Sequence, residues 1–274
     1  MTTGARVGTA ILAIFVTGAL FAPWITPVGP SDVTDVVATR FLAPLTVDQF
    51  GVFHLLGTDR LGRDVWSRLV HGARMSLLVA ALATAVSLIL GVIMGGLAAI
   101  LRGWPARLVL GVTDFALALP RVVILLLLAA LWQPSATLVV LTLGLTGWMP
   151  IARLTYGEAL VQLKRPYTES ARALGASRAR VFARHVLPNA ASPLLAAATL
   201  GIGNAITLEA GLSFLGLGVQ PPVSSWGTLI ASGRDTIVNA PWVGLVPGVA
   251  LVTVVVAATL VANWFELDRT RTAS

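Results

Sequence analysis

Long apolar runs separated by short polar segments set the pattern of this chain. About 20 apolar residues in helical conformation cross a bilayer. Runs of that order occupy Val7–Val28, Ser76–Leu101, Arg107–Trp132, Ser135–Thr155, Ala191–Leu217 and Pro241–Trp264. The pattern predicts an all-α integral membrane protein with six transmembrane helices. It divides the chain into an N-terminal span (1–28), a loop with an interfacial helix (29–75), a core of five spans (76–264) and a tail (265–274). Arg6 ahead of the first run is reminiscent of a signal peptide. However, Leu20-Phe21-Ala22-Pro23 has no small-x-small cleavage site and sets proline after the candidate alanine, so an uncleaved span is expected.

The polar segments carry their own patterns. From Gly57, GTDRLGRDVWSRLVHGAR places Val65, Trp66, Leu69 and Val70 at helical spacing, which predicts a short helix in the headgroup region. Gly218–Asn239, with Pro221-Pro222 and Trp226, is too broken to extend a helix, and both an ordered cap and a solvated loop fit it. The island Gly157–Asn189 is the most specific. Tyr167–Leu174 predicts a helix ended by Gly175, because a left-handed C-terminal position favours a residue without Cβ. Ser177 is placed to cap a second helix through Val181, Phe182 and Val186, which Pro188 closes. Small residues (Ser170, Ala171, Ala173, Ala176) crowd the bend and arginines flank it, a surface suited to docking a soluble partner.

Composition supports the class. Only 11% of the 274 residues are charged, 56% are hydrophobic, and mean hydropathy is +0.86; a soluble domain carries about a quarter charged residues. The absence of cysteine rules out disulfides and thiolate metal sites. A net charge of +7 follows topology and not nucleic acid. With a cytoplasmic N-terminus, one side holds Arg6, Arg102, Arg107, the seven cations Arg153, Lys164, Arg165, Arg172, Arg178, Arg180 and Arg184, then Arg269 and Arg271. Against these stand only Glu158, Glu169, Glu266 and Asp268. The other side pairs Arg40, Arg60, Arg63, Arg68, Arg74 and Arg234 with an equal number of aspartates, Asp32, Asp35, Asp48, Asp59, Asp64 and Asp235. The basic excess places the island and both termini in the cytoplasm.

Asp114, Arg121 and Glu209 are the candidate intramembrane charges. An arginine deep in a bilayer costs roughly 3 kcal/mol, so Arg121 either faces a cavity or snorkels to the inner interface, and Asp114, two turns earlier, is a candidate partner. Glu209 suits helix packing or substrate contact. Gly91 and Gly95 form a GxxxG packing surface. His54, His71 and His185 lie apart and outside the runs, which gives no metal cluster, and Ser213 has no histidine in a facing span to make it a nucleophile. No Walker A sequence is present, so the chain does not hydrolyse ATP by that route. A self-sufficient secondary transporter is the competing class, but no internal repeat is visible.

The island resembles the EAA loop of ABC importer permeases, with Ser170 at the middle alanine: Glu169-Ser170-Ala171, three residues, Gly175, and later Leu187-Pro188. LGTDRLGRDVWSRLVHGARMSLLVA from Leu56 and EAGLSFLGLGVQPPVSSWG from Glu209 extend the resemblance to the second permease subunit of dipeptide, oligopeptide and nickel importers. That resemblance implies a type I importer permease fold with a cytoplasmic coupling helix pair, and a heterodimer with a homologous permease. It also implies an extracytoplasmic binding protein and two cytoplasmic ATPases, which hold ATP and magnesium while this chain holds no cofactor. Short peptides are the expected substrate and a nickel chelate the alternative. The coupling role falls to Glu169, Ser170, Ala171, Leu174, Gly175, Ala176, Ser177, Arg178, Val181, Phe182 and Arg184.

Overall fold

The computed structural model describes residues 2–26, 28–101 and 103–273, with only the backbone of Ala129 and residues 267–273. Four charges of the orientation argument, Arg102, Asp268, Arg269 and Arg271, fall outside the described side chains. Among the described residues five helices are long and apolar enough to cross a membrane, and a bent pair makes a sixth.

The first span is α1 (Thr3–Leu20), capped by Thr2 and followed by the short α2 (Ala22–Ile25) and α3 (Val36–Thr39). A small antiparallel pair, β1 (Thr46–Val47) and β2 (Phe53–His54), breaks the otherwise helical pattern. Then α4 runs unbroken from Val65 to Ile100. The expected separate interfacial helix does not exist. Nothing between Arg74 and Ser76 stops a helix, and Asp64 caps the N-terminus by accepting from the Ser67 N–H at 2.7 Å. At 1.5 Å per residue α4 is about 54 Å long, far more than the hydrocarbon needs. Its first turns bury Val65 and Val70 and fix Arg68, which reaches Asp59 at 2.5 Å and Ser224 at 3.3 Å.

The third apolar run is also not one straight helix. Pro120 separates α5 (Trp104–Ala118) from α6 (Arg121–Leu131), and the axis turns by 80° there; a proline removes one backbone donor and crowds the preceding turn. The fourth run is interrupted at Thr146-Gly147, between α7 (Ala136–Leu145) and α8 (Trp148–Gln162). The hairpin then comprises α9 (Pro166–Ala173), α10 (Arg178–Val181), a π-helical turn over Phe182–Val186 and α11 (Leu187–Asn189). The chain closes with α12 (Ala191–Phe214), α13 (Trp226–Arg234) and α14 (Trp242–Ala273).

The GxxxG pair packs as expected. A Cβ on Gly91 would lie 2.6 Å from that of Ile151, and one on Gly95 would lie 2.7 Å from Thr155 Cβ, so α4 and α8 approach backbone to backbone. Gly95→Leu is expected to prevent stable folding, whereas Gly18→Leu, where nothing lies within 4 Å, leaves the folded yield in detergent near wild type.

The loop ahead of α4 is pinned by Asp48, His54 and Asp64. His54 Nδ1 lies 2.8 Å from Asp64, and Asp48 accepts from the Phe50 and Val52 N–H groups at 2.9 and 2.8 Å. Burial pushes the Asp48 carboxyl up, but the two backbone donors and His54 outweigh it and hold the pKa below its ordinary 3.8. A depressed carboxylate stabilises fully above that ordinary value and loses its contribution as pH falls through the lower folded value. Asp48→Asn is therefore expected to flatten the fall of the thermal transition between pH 5 and about 3, measured by tryptophan fluorescence.

Candidate functional site

Two features stand apart from ordinary helix packing: the hairpin at one end of the bundle and a polar groove near its middle. The hairpin turns where the sequence indicates. Gly175 has φ +84°, its N–H donates to Arg172 O at 3.0 Å, and the Ala176 N–H donates to Ala171 O at 3.1 Å. This doubly bonded left-handed turn satisfies the last carbonyls of α9 and brings Ala171 and Ala176 together. Ser177 caps α10 by accepting from the Arg180 N–H at 3.3 Å. Pro188 does not close that helix. The wider π-turn, in which the Leu187 N–H reaches Phe182 O, carries the chain through α11 toward α12, so Pro188 sits in a first turn, where its missing donor costs nothing.

One side of the hairpin is packed. Val181 and Val186 are buried against Ala159 of α8, and the Phe182 ring covers Gly96 of α4, where a Cβ would stand 2.7 Å from it. Arg178 donates to the last carbonyl of α4, Ile100 O, at 3.3 Å. The other side is open: Glu169, Ser170, Gly175, Ser177 and Arg184 are exposed, and Leu174 at the turn is 89% exposed.

The three membrane charges separate. Arg121 does not pair with Asp114. The bend at Pro120 swings it off the face of α5, and its guanidinium donates instead to Thr146 Oγ1 at 3.2 Å and Leu143 O at 3.1 Å, where α7 ends. Asp114 is bound by Arg153, whose Nε lies at 2.7 Å. Arg153 thus belongs to α8, inside an apolar span, and not to the polar island. Ser87 donates to Gly144 O at 3.0 Å, so the interruption at Thr146-Gly147 is satisfied from both α4 and α6. Between them lies a groove of about 330 Å³, bordered by Thr84, Ser87, Arg121, Gly147, Asn204 and neighbouring apolar residues of α8 and α12.

Glu209 is a packing centre. Fully buried, it accepts from Ser76 at 3.0 Å and Ser213 at 2.7 Å. Each serine oxygen accepts in turn from a backbone N–H, Trp226 at 3.1 Å and Val219 at 3.2 Å. One carboxylate therefore orders the segment from Gly218 to α13, with Trp226 wholly buried and its indole donating to Leu69 O. Of the two readings of that segment, the ordered one holds. The sequence marked Glu209 but not its serine partners, and it gave no sign of Ser87 or Thr84 beside the groove, since single hydroxyls in apolar runs usually bond their own helix.

Spans interrupted over a polar groove, with a basic helix–turn–helix at one end, define the membrane subunit of a transporter, and the fold is that of a type I importer permease. A chain of the MetNI methionine ABC transporter, solved in an inward-facing conformation, superposes with a TM-score of 0.58 over 72% of this chain and 96% of that one, at 16% identity. The protein belongs to the binding-protein-dependent transport system inner membrane component family, whose model matches residues 87–270. It is 38% identical to the di/tripeptide transport system permease DppC of Pseudomonas aeruginosa across 95% of this chain and 85% of the relative. A putative peptide transport system permease of Brucella suis is also 38% identical, over 94% and 84%. The chain is thus an inner-membrane permease of an ABC importer.

Removing the buried acceptor leaves two hydroxyls stranded, each at about 1–3 kcal/mol. Glu209→Leu is expected to lower the melting temperature of the solubilised protein well below that of Glu209→Gln, which keeps an acceptor oxygen.

Proposed function

We propose that this permease conducts short peptides delivered by an extracytoplasmic binding protein, paired with a homologous permease and driven by two cytoplasmic ATPases that hold ATP and magnesium. Peptide, in preference to a nickel chelate, is supported by the names of its relatives, the di/tripeptide and peptide permeases. The hairpin is the coupling element. The observation that carries this reading is its two-sidedness: Val181, Phe182 and Val186 are locked to α4 and α8 while Leu174 projects from a rigid turn. A groove on a soluble subunit that covers Leu174 gains about 1.5–3 kcal/mol from that side chain, and the exposed Glu169, Arg178 and Arg184 supply charged contacts around it. The hairpin faces the cytoplasm, a reading that the distribution of basic residues supports.

Leu174→Asp removes the apolar contact without touching the packed side, and Glu169→Arg reverses a charge at the same surface. Both are expected to insert normally and to lose at least about ten-fold in substrate-stimulated ATP hydrolysis by the reconstituted complex, in keeping with the burial of one leucine. Gly175→Pro, which forbids positive φ, is expected to abolish it. Unchanged stimulation in all three, or peptide uptake by the chain alone in liposomes without ATP, would overturn the proposal and favour a secondary transporter.

A further inference from the structure

We infer that the groove at Arg121 is a substrate-binding wall whose guanidinium pairs with the carboxylate of the passing peptide. This inference rests on the peptide reading above and goes further by assigning the residue and the substrate group it meets. The groove lies at mid-span. It is bordered by Ala197 to Ala205 within α12, by Gly147 at the interruption between α7 and α8, and by Thr84 and Ser87 in α4. Backbone irregularity at that depth survives only where protein or a watery cavity surrounds it. Two helix breaks, at Pro120 and Gly147, meet at this one place.

Arg121 is a cation without a counter-ion there. Its contacts are neutral, the Thr146 hydroxyl and the Leu143 carbonyl, and among the described residues no carboxylate lies within 4 Å, because the nearby Asp114 is taken by Arg153. The two bonds fix Nε and Nη2 and leave Nη1 unengaged, so the side chain is held in place with part of its fork free. A guanidinium held this way is matched by a planar carboxylate. A second observation lies on the same wall. Thr84 Oγ1 is buried and has no hydrogen-bond partner, although threonines elsewhere in these helices bond back to their own turn. Ser87 and Asn204 add neutral polar groups suited to peptide amides. No acidic side chain borders the groove, so the ammonium end of a peptide has no partner on this wall. The assignment is therefore to the carboxylate end.

The test uses the assembled transporter, with both permeases, both ATPases and the binding protein, in liposomes. A dipeptide with a free C-terminus and its C-terminal amide are compared at saturating binding protein, for the wild type and for Arg121→Gln. Selection by the binding protein is the same in both complexes, so the change in the acid-to-amide uptake ratio reports the permease alone. The ratio is expected to fall about ten-fold or more in Arg121→Gln, the size of a charge-assisted hydrogen bond. It should be largely restored in Arg121→Lys, which keeps the charge without the fork. Co-elution of all subunits on size exclusion verifies assembly of each variant. A ratio unchanged by Arg121→Gln, or equal losses for acid and amide in both variants, overturns the inference while leaving peptide transport standing. Failure of the wild-type complex to move either compound overturns the peptide reading itself.

Discussion

The contact on which the rest of the molecule depends is the backbone-to-backbone approach of α4 and α8 at Gly91 and Gly95. Lipid tails are as apolar as leucine, so helices in a bilayer gain little from hiding hydrophobic side chains from one another. Close van der Waals contact and internal hydrogen bonds hold them instead. Ile151, Ala152 and Thr155 of α8 sit directly on the two glycines. This contact fixes the helix that borders the groove at one end and leads into the hairpin at the other. Gly96, one residue beyond, receives Phe182 from the hairpin itself, and the end of α4 accepts from Arg178. The same stretch of α4 therefore supports span packing and the hairpin's seat.

Polar groups in this bundle follow the matching rule that each must be answered from within the protein. At one level Glu209 gathers Ser76 and Ser213 and, through their oxygens, two backbone N–H groups of the segment before α13. At the next, Arg121 and Ser87 answer the carbonyls freed where α7 stops. The two arrangements differ in closure. The first is sealed and complete, which makes it structural. The second borders open space and carries a positive charge that, among the described residues, no carboxylate answers within 4 Å.

Length and periodicity rendered the spans legible, because twenty apolar residues have few alternatives. They did not show where a span bends. A run such as Arg107–Trp132 looks uniform on a hydropathy scale, and Pro120 alone gives no angle, so the pairing of Asp114 with Arg121 expected from a straight helix failed once the axis turned by 80°. Arg153 stands beside the island's cations in sequence, but in the fold it lies on α8 and pairs with Asp114 on a partly exposed face. The hairpin was readable almost residue by residue, since Gly175 and Ser177 act through local backbone chemistry. Pro188 was the exception, as the π-turn that accommodates it has no signature in composition. The partners of Glu209 lie 133 residues away in one case and four in the other, and only the fold could bring the first.

A single helix, α8, joins the hairpin to the groove. Pro150 borders the groove and Gln162 ends the helix that feeds the hairpin, which places them about 18 Å apart at 1.5 Å per residue. Between them α8 has no interruption, and its inner face is clamped to α4. The softer points are above it, at Gly147, and across from it, at Pro120. On the proposed coupling role, a displacement of the hairpin would be carried by α8 toward the breaks gathered around the groove. The hairpin end is held by Tyr167 to Gln162 at 2.5 Å and by the buried Thr168 hydroxyl to Gln162 O at 3.0 Å. The start of the hairpin is thereby tied to the last turn of α8, while the two breaks that frame Arg121 lie at the groove.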